Sequence, residues 1–230
     1  MLNAIIYSML YFLLLIVELI ILFILSGMVT KQLSFFFLRL TRSQGITIRL
    51  MALLFLPGVI IHEVSHYATA VLLGVTTHGM EFVPQVSQNN VKLGSVTISQ
   101  TDPVRRLLIG VAPLVVGLMM SFAAFALYFS SIISLAPIWK TILLIYILFE
   151  IGNTMFSSRK DLEGSMILIV LMVISMIVVY LFYPQSFSLL QQLLEKNASL
   201  LRQGATLLSV PVGIDIGVVL ITKLFTKRRP

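Results

Sequence analysis

Two histidines and a glutamate in this sequence have the types and the spacing of a metal site that performs hydrolysis. In the stretch HEVSH, residues 62–66, the histidines are four residues apart, which on a helix places them on one face, a single turn apart. Both imidazoles can then reach one tetrahedral zinc ion, with Glu63 near the remaining open position. A carboxylate there can take a proton from a zinc-activated water and pass it to a leaving amine. The pattern predicts one Zn²⁺ per chain, bound by His62 and His66, with Glu63 as the catalytic residue.

The alternative is a pair of buried histidines that hydrogen-bond to neighbouring helices without a metal. Two of the three histidines in the whole chain fall in this one pattern. Three polar or ionisable side chains within one turn are costly in a membrane unless they serve a function. The metal site is therefore the favoured interpretation.

A catalytic zinc ion needs a third protein ligand, and the chain has no cysteine, so histidines and carboxylates must supply the site. Asp161 is favoured because it lies near the start of the fifth of six predicted membrane spans, on the same side as the end of the histidine-bearing helix. Glu150, which closes the fourth predicted span, is the main competitor. Glu18 and Asp215 are interpreted as interhelical hydrogen-bond partners, and His78 as a solvated or interfacial side chain.

The elements that must position these residues are membrane helices. Of the 230 residues, 58% are hydrophobic and only 11% are charged, with a mean hydropathy of +1.03, which excludes an ordinary water-soluble surface. The net charge of +7 lies in short clusters between apolar runs and at the C-terminus. That pattern suits anionic lipid headgroups better than a nucleic-acid surface. The lipid bilayer is therefore a predicted partner, and nucleic acid is not.

A membrane helix needs about 20 apolar residues, and the sequence contains six such stretches. The first is too long for a secretion signal and no basic residue precedes it, so it is interpreted as a retained helix. A basic connector follows it, and an amphipathic connector, 185–203, precedes the sixth. Between the second and third spans, two strand-like segments around a polar turn predict a β-hairpin over 76–98. The predicted spans are 2–26, 48–73, 107–130, 132–151, 165–183 and 205–225.

The predicted fold is an all-α polytopic membrane protein of about six transmembrane helices with a small membrane-associated β-hairpin. No internal repeat or low-complexity linker is found, so residues 1–230 are assigned to a single domain. Asp102 and Pro103 are predicted to cap the helix that starts near Arg105. Evenly spaced spans would place the hairpin, the 152–164 break and both termini on one membrane face. That face carries nine basic residues against seven on the other, which favours it as the cytoplasmic side.

The run PGVIIHEVSHY over 57–67, embedded in a membrane helix, resembles the site-2 protease family of intramembrane zinc metalloproteases. That family also has a later motif, NxxPxxxLDG, in which an Asn precedes the ligand Asp by eight residues. The sequence keeps this spacing between Asn153 and Asp161. The motif's Pro, Leu and Gly are replaced by Phe156, Lys160 and Leu162.

The resemblance implies a catalytic core over about 48–164, with Asp161 as the third zinc ligand and Asn153 as a substrate-positioning residue. It implies an enzyme that hydrolyses peptide bonds in or near transmembrane segments of other membrane proteins. It also implies a multi-pass protein, here of the cell membrane, with its active site toward the cytoplasm. Two other functions stay open: a catalytically inactive scaffold with a structural metal site, and a proton or metal-ion transporter. The internal symmetry common in transporters is not seen in the sequence.

Overall fold

The computed structural model of the chain is mostly helical. Its helices are α1 (Leu2–Thr41), α2 (Gln44–Leu72), α3 (Pro103–Phe129), α4 (Ile138–Thr154), α5 (Ser186–Lys196) and α6 (Ala198–Lys227). Its strands are β1 (Thr77–Glu81), β2 (Gln85–Ser87), β3 (Asn90–Lys92) and β4 (Ser95–Ile98). The structure describes residues 2–82, 85–87, 90–92, 94–129, 138–155, 170–171, 174–175, 177–179, 181–183 and 186–227.

Four of the described helices, α1, α2, α3 and α6, are long and apolar enough to cross a bilayer. They correspond to the first, second, third and sixth predicted spans. The helix α4 has 17 residues, and the first part of the fourth predicted span, 132–137, lies outside the described residues. The fifth predicted span, 165–183, also falls largely outside them. The structure therefore confirms a mostly helical protein with four candidate spans and a small antiparallel sheet, but not the count of six.

The helix α1 is longer than the sequence predicted. A span ending at Ser26 and a basic connector were expected, whereas the helix continues to Thr41. Residues 27–41 contain no proline, so nothing in this stretch interrupts the helical hydrogen bonds. At 1.5 Å per residue, α1 is about 60 Å long, roughly twice the thickness of the hydrocarbon core. It therefore extends well beyond the apolar part of a bilayer.

The end of α2 is a Schellman motif, which fixes where the following segments begin. Gly74 has a φ of 68°, a conformation that glycine adopts without steric cost. Its N–H donates to the Val71 carbonyl at 3.0 Å. The Val75 N–H donates to the Ala70 carbonyl at 2.8 Å. Ala70 and Val75 are buried together with Ile109 of α3, and this contact holds α3 against the last turns of α2.

The predicted hairpin is confirmed as two antiparallel strand pairs, β1 with β4 and β2 with β3. The register shifts between Thr77 and Gly79, which leaves His78 as the extra residue of a β-bulge. Both β1 and β4 contact α2, so the hairpin lies against the helix that carries HEVSH. The paired residues are Thr77 with Ile98, Gly79 with Thr97, Met80 with Val96, Glu81 with Ser95, Gln85 with Lys92, Val86 with Val91, and Ser87 with Asn90.

Asp102 caps α3, as predicted. Its Oδ1 accepts hydrogen bonds from the Val104 N–H at 3.1 Å and the Arg105 N–H at 3.0 Å. Its Oδ2 lies 3.3 Å from Nε of Arg105. The hydrogen bond from the Arg105 N–H, together with the positive charge of that side chain, holds the pKa of Asp102 below its usual range. The helix begins at Pro103, where a missing N–H leaves no hydrogen bond unmade.

The helices α1 and α6 pack against each other in parallel. A Cβ at Gly204, near the start of α6, would lie 3.2 Å from a methyl group of Leu15, in the first half of α1. Toward the other ends of the two helices, the rings of Phe36 and Phe225 are 6.1 Å apart. The start of α1 and the end of α6 therefore lie at opposite ends of the bundle. The prediction that both termini share a membrane face is wrong, because parallel first and last helices place these two ends on opposite faces.

This packing also removes the charge argument for orientation. Basic residues near the start of α6, Lys196 and Arg202, exchange faces with those near its end, Lys223 and Lys227. Among the described residues, the hairpin face then no longer has the larger number of cations. The expectation that this face is cytoplasmic loses its support from charge.

The close contact between α2 and α4 at Gly58 generates a stability prediction. A Cβ at Gly58 would lie 2.5 Å from Oγ1 of Thr154 and 2.9 Å from the Glu150 carbonyl oxygen. Gly58→Ala should therefore lower the thermal unfolding midpoint of the detergent-solubilised protein, at a cost of about 1–3 kcal/mol from overpacking. Gly27→Ala is the matched control, because nothing lies within 4 Å of its Cβ position. Equal midpoints for the two variants would contradict the close contact of α2 and α4.

Candidate metal centre

The second half of α2 carries the three residues of the predicted site. His62, Glu63 and His66 are buried, with only 3%, 7% and 9% of their surface exposed. The helix is continuous through all three, so the four-residue spacing places both histidines on one face, as predicted. These polar groups are enclosed by protein and do not face lipid, which is typical of functional residues within a membrane bundle.

The two imidazole rings approach each other through the same ring nitrogen. Nε2 of His62 and Nε2 of His66 are 3.1 Å apart. The rings are nearly perpendicular, at 87°, with their centroids 4.7 Å apart. Two nitrogens bound to one tetrahedral zinc ion, each at about 2.05 Å, would be about 3.3 Å from one another. The pair therefore has close to the separation that a shared zinc ion requires.

The backbone of α3 sets the tautomer of His66. The Ile109 carbonyl oxygen lies 2.8 Å from Nδ1 of His66, and because a carbonyl can only accept, Nδ1 must carry the hydrogen. In the neutral ring Nε2 then keeps its lone pair, which is the form that binds a metal. Metal-binding histidines commonly have such a partner on the other ring nitrogen. The tautomer of His66 thus fits a zinc ligand.

Gly94, just before β4, lies against Glu63. A Cβ at Gly94 would lie 2.7 Å from a methyl group of Val59 and 3.1 Å from Oε1 of Glu63. Only a glycine allows the backbone to approach this closely. The sequence placed the hairpin beside the membrane, and the structure brings its backbone into contact with the predicted catalytic carboxylate.

The third predicted ligand, Asp161, lies outside the described residues. Within the described ranges, no three His, Cys, Asp or Glu side chains form a group that could hold a metal ion. The competing ligand, Glu150, is thus not brought together with the two histidines, and its Oε2 instead accepts the Gly58 N–H at 3.2 Å. His78 is exposed, with Nε2 2.7 Å from the Ser99 hydroxyl, in agreement with its interpretation as a solvated side chain.

Asn153 connects α4 to α6. Its Nδ2 donates to the Phe149 carbonyl at 2.9 Å and to Oδ1 of Asp215 at 2.7 Å. Asp215 is completely buried, and this hydrogen bond confirms it as an interhelical partner. The role of Asn153 in positioning a substrate stays a prediction.

Sequence reasoning missed the contacts made by Gly94 and Ile109. A glycine beside a strand signals a bulge or a close approach of backbones, so Gly94 carried a usable signal, although not the identity of its neighbour. Ile109 also carried a usable signal, because Pro113 lies four residues later in α3 and has no N–H for the Ile109 carbonyl. Only the packing of α3 against α2 shows which carbonyl faces His66.

Comparison of the chain with protein-family models, with curated proteins and with solved structures finds no match. The resemblance to the site-2 protease family therefore depends on the two sequence motifs alone.

The histidine pair generates a prediction about metal content. His66→Ala should lower zinc affinity by at least about 100-fold, because it removes one ligand of the shared ion. The measurement is zinc bound per chain after purification, followed by titration with a competing chelator. His78→Ala is the matched control and should bind zinc like the wild type, since that histidine is exposed and bonds to Ser99. Full zinc occupancy in His66→Ala would rule out the assigned site.

Proposed function

We propose that this chain is an intramembrane zinc metalloendopeptidase that hydrolyses peptide bonds in or near transmembrane segments of other membrane proteins. The observation that carries the proposal is the 3.1 Å separation of Nε2 of His62 and Nε2 of His66, with Glu63 buried in the same turn. The Ile109 carbonyl supports it, because it leaves Nε2 of His66 as the unprotonated nitrogen.

His62 and His66 would hold the zinc ion, with Asp161 as the third ligand that the sequence predicts. When bound, zinc lowers the pKa of a water molecule to about 7 and polarises the scissile carbonyl. Glu63 accepts the proton of the attacking water and returns it to the leaving amine. Burial of the carboxylate strengthens these electrostatic interactions, because few water molecules compete with them.

The hairpin offers a place where an unwound substrate segment can bind as an added strand. A transmembrane helix hides its peptide bonds in intrahelical hydrogen bonds, so a cleavable segment must first unwind. Each of the described sheets has two strands, which leaves strand edges where an extended segment can add. Since the Gly94 backbone lies against Glu63, a strand added beside β4 would bring its peptide bonds close to the catalytic carboxylate.

The membrane location has separate support. Four long apolar helices are compatible with an integral membrane protein. The placement in the cell membrane, with the active site toward the cytoplasm, is supported by the family resemblance alone. Tagging the end of α6 and testing its accessibility from each side would determine the orientation.

A second interpretation uses the same histidine contact without catalysis. A distance of 3.1 Å also suits a hydrogen bond, so His62 can donate to His66 in a scaffold protein whose site is metal-free or purely structural.

A transporter is favoured by the buried carboxyl groups of Glu150 and Asp215, because ionisable residues inside membrane bundles are typical of ion pathways. Neither alternative yields a cleaved product that depends on Glu63.

The role of Glu63 generates the prediction that separates the enzyme from these alternatives. Glu63→Gln keeps the size of the side chain but cannot accept a proton, so cleavage of a model transmembrane substrate should fall by about 10²–10⁴-fold. Zinc content should stay at the wild-type level. Glu81→Gln, which changes an exposed glutamate on β1, is the control. Cleavage by Glu63→Gln at the wild-type rate would refute the proposed mechanism.

A further prediction follows from the contact between Gly94 and Glu63. Gly94→Ala should lower kcat by about tenfold or more, because a methyl group 3.1 Å from Oε1 of Glu63 must displace the carboxylate or the hairpin. Zinc content should not change, since Glu63 is not a ligand. Gly213→Ala is the control, because nothing lies within 4 Å of its Cβ position. A wild-type kcat in Gly94→Ala would show that the hairpin does not cover the catalytic carboxylate.

A further inference from the structure

Pro57 lies inside α2, five residues before His62. A proline has no N–H to donate to the carbonyl four residues earlier, and its ring pushes that carbonyl away. In hydrocarbon no water is available for the groups that are freed, so neighbouring helices must supply their partners. The half of α2 that carries the site therefore follows a weak point of the helix.

Two side chains of α4 bond to the α2 backbone on either side of Pro57. The Tyr146 hydroxyl donates to the Leu54 carbonyl at 2.8 Å. The Gly58 N–H donates to Oε2 of Glu150 at 3.2 Å. Tyr146 and Glu150 are four residues apart, so both project from one face of α4. Together they bind one backbone group before the proline and one after it.

Other residues of α2 and α4 pack closely around these two hydrogen bonds, which together form the joint between the helices. At Gly58 a Cβ would lie 2.5 Å from Oγ1 of Thr154, so the two helices are in close contact there. One turn earlier, the rings of Phe55 and Phe149 stack with centroids 5.9 Å apart. Glu150 exposes only 1% of its surface. The Glu150 carboxyl group is thus enclosed by protein at the joint and has no access to lipid or water.

We propose that Tyr146 and Glu150 are positioning residues that fix the direction of α2 beyond Pro57, an inference that rests on the proposed function. They set where His62, Glu63 and His66 stand relative to α4. The same helix ends seven residues before Asp161, the predicted third ligand. The joint therefore determines the direction in which the histidine-bearing half of α2 leaves its contact with α4.

The distance between Pro57 and the histidines makes the position of the site sensitive to the direction of α2. His66 is nine residues beyond Pro57, about 13 Å along the helix axis. A change of about 10° in the direction of the helix would move its side chain by roughly 2 Å. A misplacement of about 1 Å can cost on the order of 100-fold in rate. The loss of either hydrogen bond should therefore affect chemistry more than folding.

The test compares Tyr146→Phe, Glu150→Leu and Glu150→Gln in the full-length protein. The first two should lower kcat by about tenfold or more while KM changes little and each chain still binds one zinc ion. After replacement of zinc by Co²⁺, their visible absorption bands should shift, because the bands report the geometry of the ligands. Glu150→Gln should restore most of the activity and the wild-type spectrum, since its amide oxygen still accepts the Gly58 N–H.

Tyr128→Phe is the matched control. It also removes a partly buried hydrogen bond between two hydroxyl groups, those of Tyr128 and Thr141, at 2.6 Å, but that bond does not involve α2. It should match the wild type in kcat, metal content and spectrum. Wild-type values in both Tyr146→Phe and Glu150→Leu would overturn the proposal. So would a loss of zinc in Glu150→Gln as large as that in His66→Ala, because Glu150 would then be a ligand.

A third readout separates this inference from the proposed function. Hydrogen exchange over residues 58–66 needs neither zinc nor substrate. It should be faster in Tyr146→Phe and Glu150→Leu than in Tyr128→Phe, because each of the first two changes removes one of the two α4 hydrogen bonds that flank Pro57. If the wild type bound no zinc but the exchange result held, the proposed function would fail and the joint would stand. If exchange were unchanged in all variants, the joint itself would be refuted.

Discussion

A backbone group without a hydrogen-bond partner is expensive in hydrocarbon, and this cost shapes the bundle around α2. Pro57 breaks the hydrogen-bond ladder of that helix in its middle. Side chains from α4 bond to the Leu54 carbonyl and the Gly58 N–H, on either side of the proline, and so tie the two helices together there. The polar residues that the site requires are placed immediately after this joint. Helix α2 therefore contains both a proline and the predicted metal-binding motif, with α4 bonded to its backbone between them.

The same requirement explains the other polar contacts near the site. The Ile109 carbonyl accepts a hydrogen bond from Nδ1 of His66. The side-chain amide of Asn153 donates to the Phe149 carbonyl and to Oδ1 of Asp215. At the end of α2, Gly74 allows the chain to turn while the last carbonyls are still satisfied. That turn sends the hairpin back against α2, where the Gly94 backbone lies against the Glu63 side chain. The geometry of the site is thus a consequence of how each helix ends or is interrupted.

Local features were predictable from the sequence, and contacts between distant segments were not. The shared face of His62 and His66 follows from helix geometry, and the cap at Asp102 follows from residue type at one position. The strand pairs around 76–98 follow from composition and a turn signal. By contrast, the parallel direction of α6 relative to α1 depends on contacts between the two ends of the chain, which hydropathy does not show. The partners of Gly58 and Gly94 depend on packing between segments far apart in the chain.

We propose that Nε2 of His62 and Nε2 of His66 bind one zinc ion in this protein. X-ray absorption at the zinc edge, on wild-type protein purified in mild detergent without chelators, tests it most directly. We predict one zinc per chain whose spectrum shows the scattering of two imidazole rings, with nitrogens at about 2.0–2.1 Å and the remaining ligands oxygen. A protein that retains no zinc, or zinc whose spectrum lacks imidazole scattering, would contradict the account.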